Sequence, residues 1–333
     1  MNTHIIAIVA GGYSGELEVS LRSAQSLKKW IDRRLYSPYL VRLDRQAWTV
    51  VEDPGGREMA VPLDRNIFGF EDDLGRSVCF EYALITIHGT PGENGLLQGY
   101  LDMMGIPYNT GGVLTEALTF DKYACNRFLS TFDGIHIAKS LPLYSVKDLP
   151  SADELGQALG LPLFVKPNAG GSSIATFKVS KIGDLMPAIY AAFKEASSVL
   201  VESLLVGTEL TCGCYLSTTK GLVALPVTEV VSKNEFFDYE AKYQGAVEEI
   251  TPARISPELT NRIQTLTKQI YEHVSAQGII RVDYIVSPDG TPYLLEVNTT
   301  PGMTETSFIP QQVAAAGLEM QDVLNDIIAQ RLP

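Results

Sequence analysis

Apolar and polar positions along this chain follow two periods, and the switches between them mark out the elements. "HIIAIVA" (4–10) is an unbroken apolar run, as expected of a buried strand. "EVSLRSAQSLKKWI" (18–31) spaces its apolar residues three and four apart, as an amphipathic helix does. Strands "YSPYLVRL" (36–43) and "YALITIHG" (82–89) follow, then helix "GLLQGYLDMMG" (95–105) and short strand "IPYNT" (106–110). The succession predicts an α/β unit around a mainly parallel sheet. Between 45 and 78, "DPGG" and "DDLGR" predict hairpins or loops.

From 113 the pattern changes. "VLTEALTFDKYACNRFLSTF" (113–132) reads as a helix pair, followed by "HIAKSLPLYSV", helix "ADELGQALG", the segment "LPLFVKPNAGGSSIATFKVS" (161–180), helix "DLMPAIYAAFKEA" and strand "SVLVESLL" (198–205). Beyond about 207 strands dominate: "TELTCGCYLS", "GLVALPVTEVV" and "IIRVDYIVSPDGTPYLLEVN" (279–298). They are joined by helix "SPELTNRIQTLTKQIYEHVSAQ" (256–277) and one final helix after Gln311. No internal repeat is found. At 333 residues the chain exceeds one ordinary core. The divisions expected are 1–114, 115–206 and 207–333, α/β at first and α+β toward the C-terminus.

Charge narrows the function classes. With 26 basic and 39 acidic residues the net charge is −13, against a general nucleic-acid or anionic-membrane surface. An anionic ligand must then be held by a few placed cations, so single Lys and Arg residues become informative. No apolar run is long enough to span a bilayer and no signal pattern opens the chain, so a cytoplasmic location is expected. Cys79, Cys125, Cys212 and Cys214 lack metal-site spacing and read as reduced core thiols, with "CGC" at alternate positions of a buried strand.

Four stretches carry candidate chemistry. "AGGYSGELEVS" (10–20) places a glycine-rich loop between the first strand and the first helix, where phosphates often bind, yet Glu16 and Glu18 at the helix start would repel phosphate. "LFVKPNAGGSSIATFKV" reads as strand, loop, strand: either an ordinary hairpin with a flexible tip, or a loop folding over phosphates with Lys166 as a point charge. It is not a Walker loop, lacking both the lysine position and the helix. In "RVDYIVSPDGTPYLLEVNTTPG", "SPDG" marks a hairpin turn. A symmetric turn over 287–290 would set Asp283 opposite Leu294 and Arg281 opposite Glu296. Arg281, Asp283, Glu296 and Asn298 would share one face, with Val282, Tyr284 and Val297 on the other. Three oxygen ligands beside an arginine suit Mg²⁺; the alternative is a solvent-facing strand with an Arg281–Glu296 salt bridge. "FFDYEAKYQG" (236–245) reads as a surface loop able to cover a substrate, carrying Lys242 and Tyr243, or as an exposed loop with no role. Together these suggest an ATP–Mg²⁺ enzyme working by phosphoryl transfer.

The order "GGYSGELEVS", "HGTPGENG", "FDK", "FVKPNAGGSS", "VESLLVGTEL", "FFDYEAKY", "RVDYIV", "LLEVNTTPGMTETS" resembles the D-alanine–D-alanine ligase family of the ATP-grasp superfamily, over essentially the whole chain. The resemblance implies an N-terminal α/β domain followed by two ATP-grasp subdomains, with ATP between their antiparallel sheets. It implies Lys122, Lys166 and Lys242 at ATP phosphates, Ser173 in the glycine loop, Glu202 and the Leu205 backbone at adenine, and Glu209 at ribose. Asp283, Glu296 and Asn298 would hold two Mg²⁺ ions, with Mn²⁺ an admissible replacement. Arg281 and the Gly302 N–H would receive an oxyanion, Ser307 and Phe308 would sit by the second substrate's carboxylate, and His88 beside the substrates. Glu16 would accept a hydrogen bond from the first D-alanine's ammonium, in a network with Ser172 and Tyr243, so the first loop would hold an amine. Tyr243 also accompanies amine acceptors in this family, which implies a dipeptide product. A homodimer is the implied assembly. Three positions depart from the family pattern: Ser203 where a lysine is frequent, Asn94 where Asp is usual, and no charged residue just before the two serines.

Three rivals stand beside this reading. One is a dinucleotide-binding oxidoreductase, on "AGGYSG" with Asp44 after the second strand. Another is a non-catalytic nucleotide-binding module. The third is an ATP-grasp ligase with other substrates, D-alanine–D-serine or D-alanine–D-lactate among them.

Overall fold

The structure, a computed structural model, describes residues 3–171, 174–232 and 247–332. Strand His4–Gly11 is the axis of the N-terminal part and pairs in parallel with Tyr36–Leu43 on one side and Tyr82–Ile85 on the other. Its apolar run is buried on both faces: Ile6, Ile8 and Ala10 join one core, Ala7 and Val9 another. The expected hairpin region supplies Trp48–Glu52 and Glu58–Pro62, which extend the sheet antiparallel, and a separate ribbon of Gly69–Glu71 with Ser77–Cys79. Residues 106–110 contribute only a bridge, Tyr108 to Ala83, instead of a strand.

Helix Leu17–Trp30 begins above the C-terminal end of the first strand, the usual ligand side of a parallel sheet. Serines on its buried face fix its position. Ser20 Oγ accepts from Gly11 N–H at 2.9 Å and donates to the Thr86 carbonyl at 2.7 Å, and Ser23 Oγ accepts from Met303 N–H at 3.1 Å. The last bond ties the first helix to the C-terminal part of the chain.

A four-stranded antiparallel sheet follows, in the order Phe177–Val179, Leu163–Pro167, Val199–Ser203, Ser140–Leu143. Helices Ala152–Leu159 and Leu185–Ala192 supply its core, the former started by a capping box of Ser151 and Glu154. A seven-stranded sheet carries the rest, centred on Thr208–Ser217, Ile279–Val286 and Pro292–Asn298 and packed on helix Pro257–His273. Strand His136–Ile137 also joins this sheet, in parallel with Pro292–Asn298. The single final helix expected after Gln311 is two helices, Phe308–Ala315 and Met320–Ala329. Gly317, at φ +66°, makes the left-handed turn that ends the first of them.

Cys125, Cys212 and Cys214 are buried thiols as expected, but Cys79 is exposed, because it ends the short outer ribbon and not a core strand. No helix of the described residues is long and apolar enough to cross a membrane.

Candidate active site

The carboxylate hairpin forms with a register two residues away from the symmetric one. Asp283 faces Glu296 and Arg281 faces Asn298, whereas Tyr284 faces Leu294. One residue of the shift comes from the turn, where Ser287 N–H bonds the Thr291 carbonyl around a three-residue loop with Gly290 at φ +84°. The other comes from a bulge, where Leu295 and Glu296 together oppose the Asp283/Tyr284 step. Two shifts preserve parity, so Arg281, Asp283, Glu296 and Asn298 still share a face, while Val282, Tyr284 and Val297 are buried behind them.

The charges on that face are tightly arranged. Arg281 Nε and Nη2 donate to the two Asp283 oxygens at 2.8 and 2.7 Å, so the arginine's partner is Asp283, not the Glu296 of the salt-bridge alternative. Burial opposes the guanidinium charge, but Asp283 and then Glu296 overcome it and hold Arg281 charged. Thr211 Oγ1 donates to Asp283 at 2.6 Å, and Asn298 Nδ2 donates to Asp283 at 3.1 Å. Lys122 Nζ lies 3.4 Å from Glu296 and donates to the Gly170 carbonyl at 2.6 Å. Among the described residues no cluster of three or more His, Cys, Asp or Glu side chains could hold a metal alone. Two carboxylates and an amide would supply part of a hard-oxygen shell. That fits Mg²⁺, which takes its remaining ligands from water and substrate phosphates.

Two adjoining cavities meet at this face. The larger, about 980 Å³, lies between the four-stranded and seven-stranded sheets and is lined by Lys166, Glu202, Leu205, Glu209, Asp283 and Glu296. Lys166 and Glu202 come from neighbouring strands and form an ion pair in its wall. Ser203 turns its hydroxyl to the Leu159 carbonyl, at 2.7 Å. The smaller cavity, about 460 Å³, is lined by His88, Arg281, Asn298, Gly302, Ser307 and Phe308. Glu16, Lys122, Gly171, Arg281 and Glu296 line both, so a phosphate chain in one can reach a carboxylate in the other.

Glu16 stands at the start of the first helix, with its carboxylate against Gly171 of the "NAGGSS" loop: a Cβ on Gly171 would come 2.5 Å from Oε2. His88 is buried, and among the described residues its Nε2 has no hydrogen-bond partner. Burial holds its pKa below the usual histidine value; Glu16 opposes that shift and Arg281 adds to it. Arg281 also lies 5.3 Å from the centre of the Phe308 ring. Ser307 Oγ accepts from Thr304 N–H at 3.1 Å and packs close to Gly302, where a Cβ would sit 2.9 Å away. Ser172, Ser173, Lys242 and Tyr243, and the covering loop as a whole, lie outside the described residues.

Two acidic residues escaped the sequence reading. Glu93, from "HGTPGENG", lines the smaller cavity and accepts from Gly89 N–H at 2.6 Å; burial pushes its carboxyl up to about 8. Glu116 is fully buried and accepts from Thr299 Oγ1 at 2.6 Å; burial raises its pKa well above the usual range. The clue for Glu93 was its place in a glycine-bounded loop. Glu116, inside an ordinary helical pattern, gave none.

The dinucleotide rival loses its ribose ligand. Asp44 is engaged in its own turn, accepting from Gln46 N–H at 2.9 Å and Ala47 N–H at 2.8 Å. Comparison with known proteins points elsewhere. Family models for the D-ala D-ala ligase N-terminus and C-terminus match residues 5–111 and 134–329. A D-alanine–D-alanine ligase of Porphyromonas gingivalis is 59% identical over 332 residues, covering 100% of this chain and 99% of the relative. One from Bacteroides fragilis is 53% identical over 326 residues, covering 98% of each. Among solved structures, D-alanyl-alanine synthetase A from Vibrio cholerae superposes with a TM-score of 0.87 at 29% identity, over 100% of this chain and 99% of that one. The VanG D-Ala:D-Ser ligase from Enterococcus faecalis gives 0.85 at 30%, over 99% and 100%. A Bacillus anthracis D-alanine–D-alanine ligase complexed with ATP gives 0.76 at 27%, over 99% and 97%. With both family models matched and relatives more than half identical along its whole length, this chain belongs to the D-alanine–D-alanine ligase family.

Proposed function

We propose that the protein joins two D-alanine molecules to D-alanyl-D-alanine for cell-wall precursor synthesis, converting ATP to ADP and phosphate. The observation that carries this is the shared wall of the two cavities, where Lys122, Arg281, Glu296 and Glu16 meet. In the reaction, the carboxylate of the first D-alanine attacks the γ-phosphorus and ADP departs, leaving a D-alanyl phosphate. The amine of the second D-alanine, having lost a proton, attacks the acyl carbon, and phosphate leaves with its bonding electrons.

Each step has residues suited to it. Glu16 orients the first substrate by its ammonium. Lys122 and Lys166 neutralise phosphate charge, with Lys242 and Ser173 from the two loops. Glu202, the Leu205 backbone and Glu209 hold the nucleoside. Arg281, held charged by Asp283, and the Gly302 N–H receive the oxyanion of the tetrahedral intermediate. Ser307 and Phe308 seat the second substrate, and His88 lies beside both. Ser172 and Tyr243 complete the Glu16 network. Asp283, Glu296 and Asn298 would hold two Mg²⁺ ions, which supply charge neutralisation at the transferring phosphoryl group.

Residues 1–114, 115–206 and 207–333 act as the three working units, in the cytoplasm. Leu96, Met103 and Leu114, which are 63%, 88% and 79% exposed on helices Leu96–Met104 and Val113–Phe120, support a homodimer. The test of the function is phosphate release from Mg-ATP with D-alanine, L-alanine, D-alanine plus D-serine, and D-alanine plus D-lactate, with products identified by mass. Release matched by D-alanyl-D-alanine and absent with L-alanine is the expected result. A mixed product formed in preference would move the reading to another acceptor.

A further inference from the structure

Lys122 and Arg281, two of the cations lining the smaller cavity, face its shared wall, where each has a carboxylate partner, Glu296 and Asp283 respectively. A third cation, Arg22, lines this cavity and not the larger one. It is exposed on helix Leu17–Trp30, and among the described residues it has no ion pair.

Two bonds from the helix that carries it set its position. The neighbouring Ser23 Oγ accepts from Met303 N–H at 3.1 Å, and Lys29, two turns on, pairs with Glu305 at 2.7 Å. Both bonds hold this helix face against the 302–307 turn, which also brings Thr304, Thr306 and Ser307 into the cavity. Glu249, whose Oε2 accepts from Gln311 Nε2 at 2.6 Å, also lines the cavity.

Resting on the ligase reading, we propose that Arg22 is a specificity-determining residue that binds the α-carboxylate of the second, acceptor amino acid. The acyl phosphate must form at the shared wall, so the acceptor's amine has to face that wall. Its carboxylate, on the same carbon, then points to the far end of the cavity. Lys122 and Arg281 already face Glu296 and Asp283, and Glu16 and Glu249 also line the cavity, so an entering carboxylate needs a further cation. Arg22, like Ser307, lines this cavity and not the larger one, on the helix against which the 302–307 turn packs, and a guanidinium suits a carboxylate.

The test compares native protein with Arg22→Gln and Arg22→Lys at saturating ATP, reading the Michaelis constants of the two amino-acid sites separately, with D-alanine or D-alaninamide as acceptor. Arg22→Gln should raise the acceptor KM for D-alanine about three- to tenfold, as expected for one exposed charge-assisted contact. It should leave kcat and the ATP KM within about twofold, and Arg22→Lys should recover much of the loss. With D-alaninamide, which has no carboxylate, native and Arg22→Gln should perform alike. Unfolding transitions of the variants should match the native one, since Arg22 is exposed. An unchanged acceptor KM, or an equal loss with the amide, would overturn the assignment of Arg22. Failure of the native protein to make any dipeptide would overturn the ligase reading, and this assignment with it.

Discussion

Gly171→Ala places a methyl group against the Glu16 carboxylate and so tests whether that carboxylate holds the first substrate. The new Cβ would lie 2.5 Å from Oε2 and 3.2 Å from both Cδ and Oε1. Ordinary contact needs about 3.5 Å, so the carboxylate has to withdraw by roughly 1 Å. A carboxylate–ammonium hydrogen bond is best near 2.8 Å, and a retreat of that size removes most of it. Loss of such a bond costs about 1.5–3 kcal/mol, or roughly ten- to a hundredfold in kcat/KM for the first D-alanine. Folding should be spared: Gly171 is exposed, its backbone is outside the left-handed region, and what yields is the end of a side chain. The assay is phosphate release against D-alanine concentration, with thermal unfolding as the control. In a Glu16→Gln background the same substitution should cost far less, because its target has already been weakened. A folded Gly171→Ala protein with native kcat/KM would refute the Glu16 role.

Other outcomes follow from the same geometry. Arg281→Ala should lower kcat by about two orders of magnitude or more, the usual cost of losing an oxyanion donor, measured at saturating substrates. Asp283→Asn should weaken the Mg²⁺ dependence of turnover, seen as a higher Mg²⁺ concentration at half-maximal rate, while nucleotide binding without metal changes little. Gly278→Ala should destabilise the fold by about 2 kcal/mol or more, since a Cβ there would lie 1.7 Å from the Asn109 carbonyl oxygen at a φ of +64°; the urea midpoint reads this. Glu93 binds its proton more tightly when folded, at about 8 against 4.5 unfolded, so stability should fall as pH rises through that interval. Glu93→Gln should flatten that part of the stability–pH curve, read by denaturant unfolding at pH 5 and pH 8.

How much of this was written in the sequence depends on what each feature needs. The face shared by Arg281, Asp283, Glu296 and Asn298 was legible, because alternation along a strand depends only on parity. The register itself was not, since a three-residue turn and a bulge at Leu295–Glu296 each shift it by one, and neither leaves a mark in the hydrophobic pattern. The central strand His4–Gly11 was plain from its unbroken apolar run. The break between the last two helices was hidden because apolar residues continue on both sides of Gly317. Cys79 was misjudged because exposure of a short ribbon is a tertiary property. Arg22 is a single polar residue in an ordinary helical pattern, brought to the cavity by the packing of the 302–307 turn on the first helix, while Glu93 was marked only by its glycine-bounded loop.

Phosphoryl transfer to a carboxylate is the step on which the proposed mechanism stands, and oxygen isotopes follow it directly. D-alanine labelled with ¹⁸O in its carboxylate is incubated with the protein and Mg-ATP, and the released phosphate is weighed by mass spectrometry. Attack by the carboxylate on the γ-phosphorus, followed by aminolysis of the acyl phosphate, leaves one ¹⁸O in each phosphate formed along with the dipeptide. Unlabelled phosphate accompanying the same dipeptide would contradict an acyl phosphate intermediate.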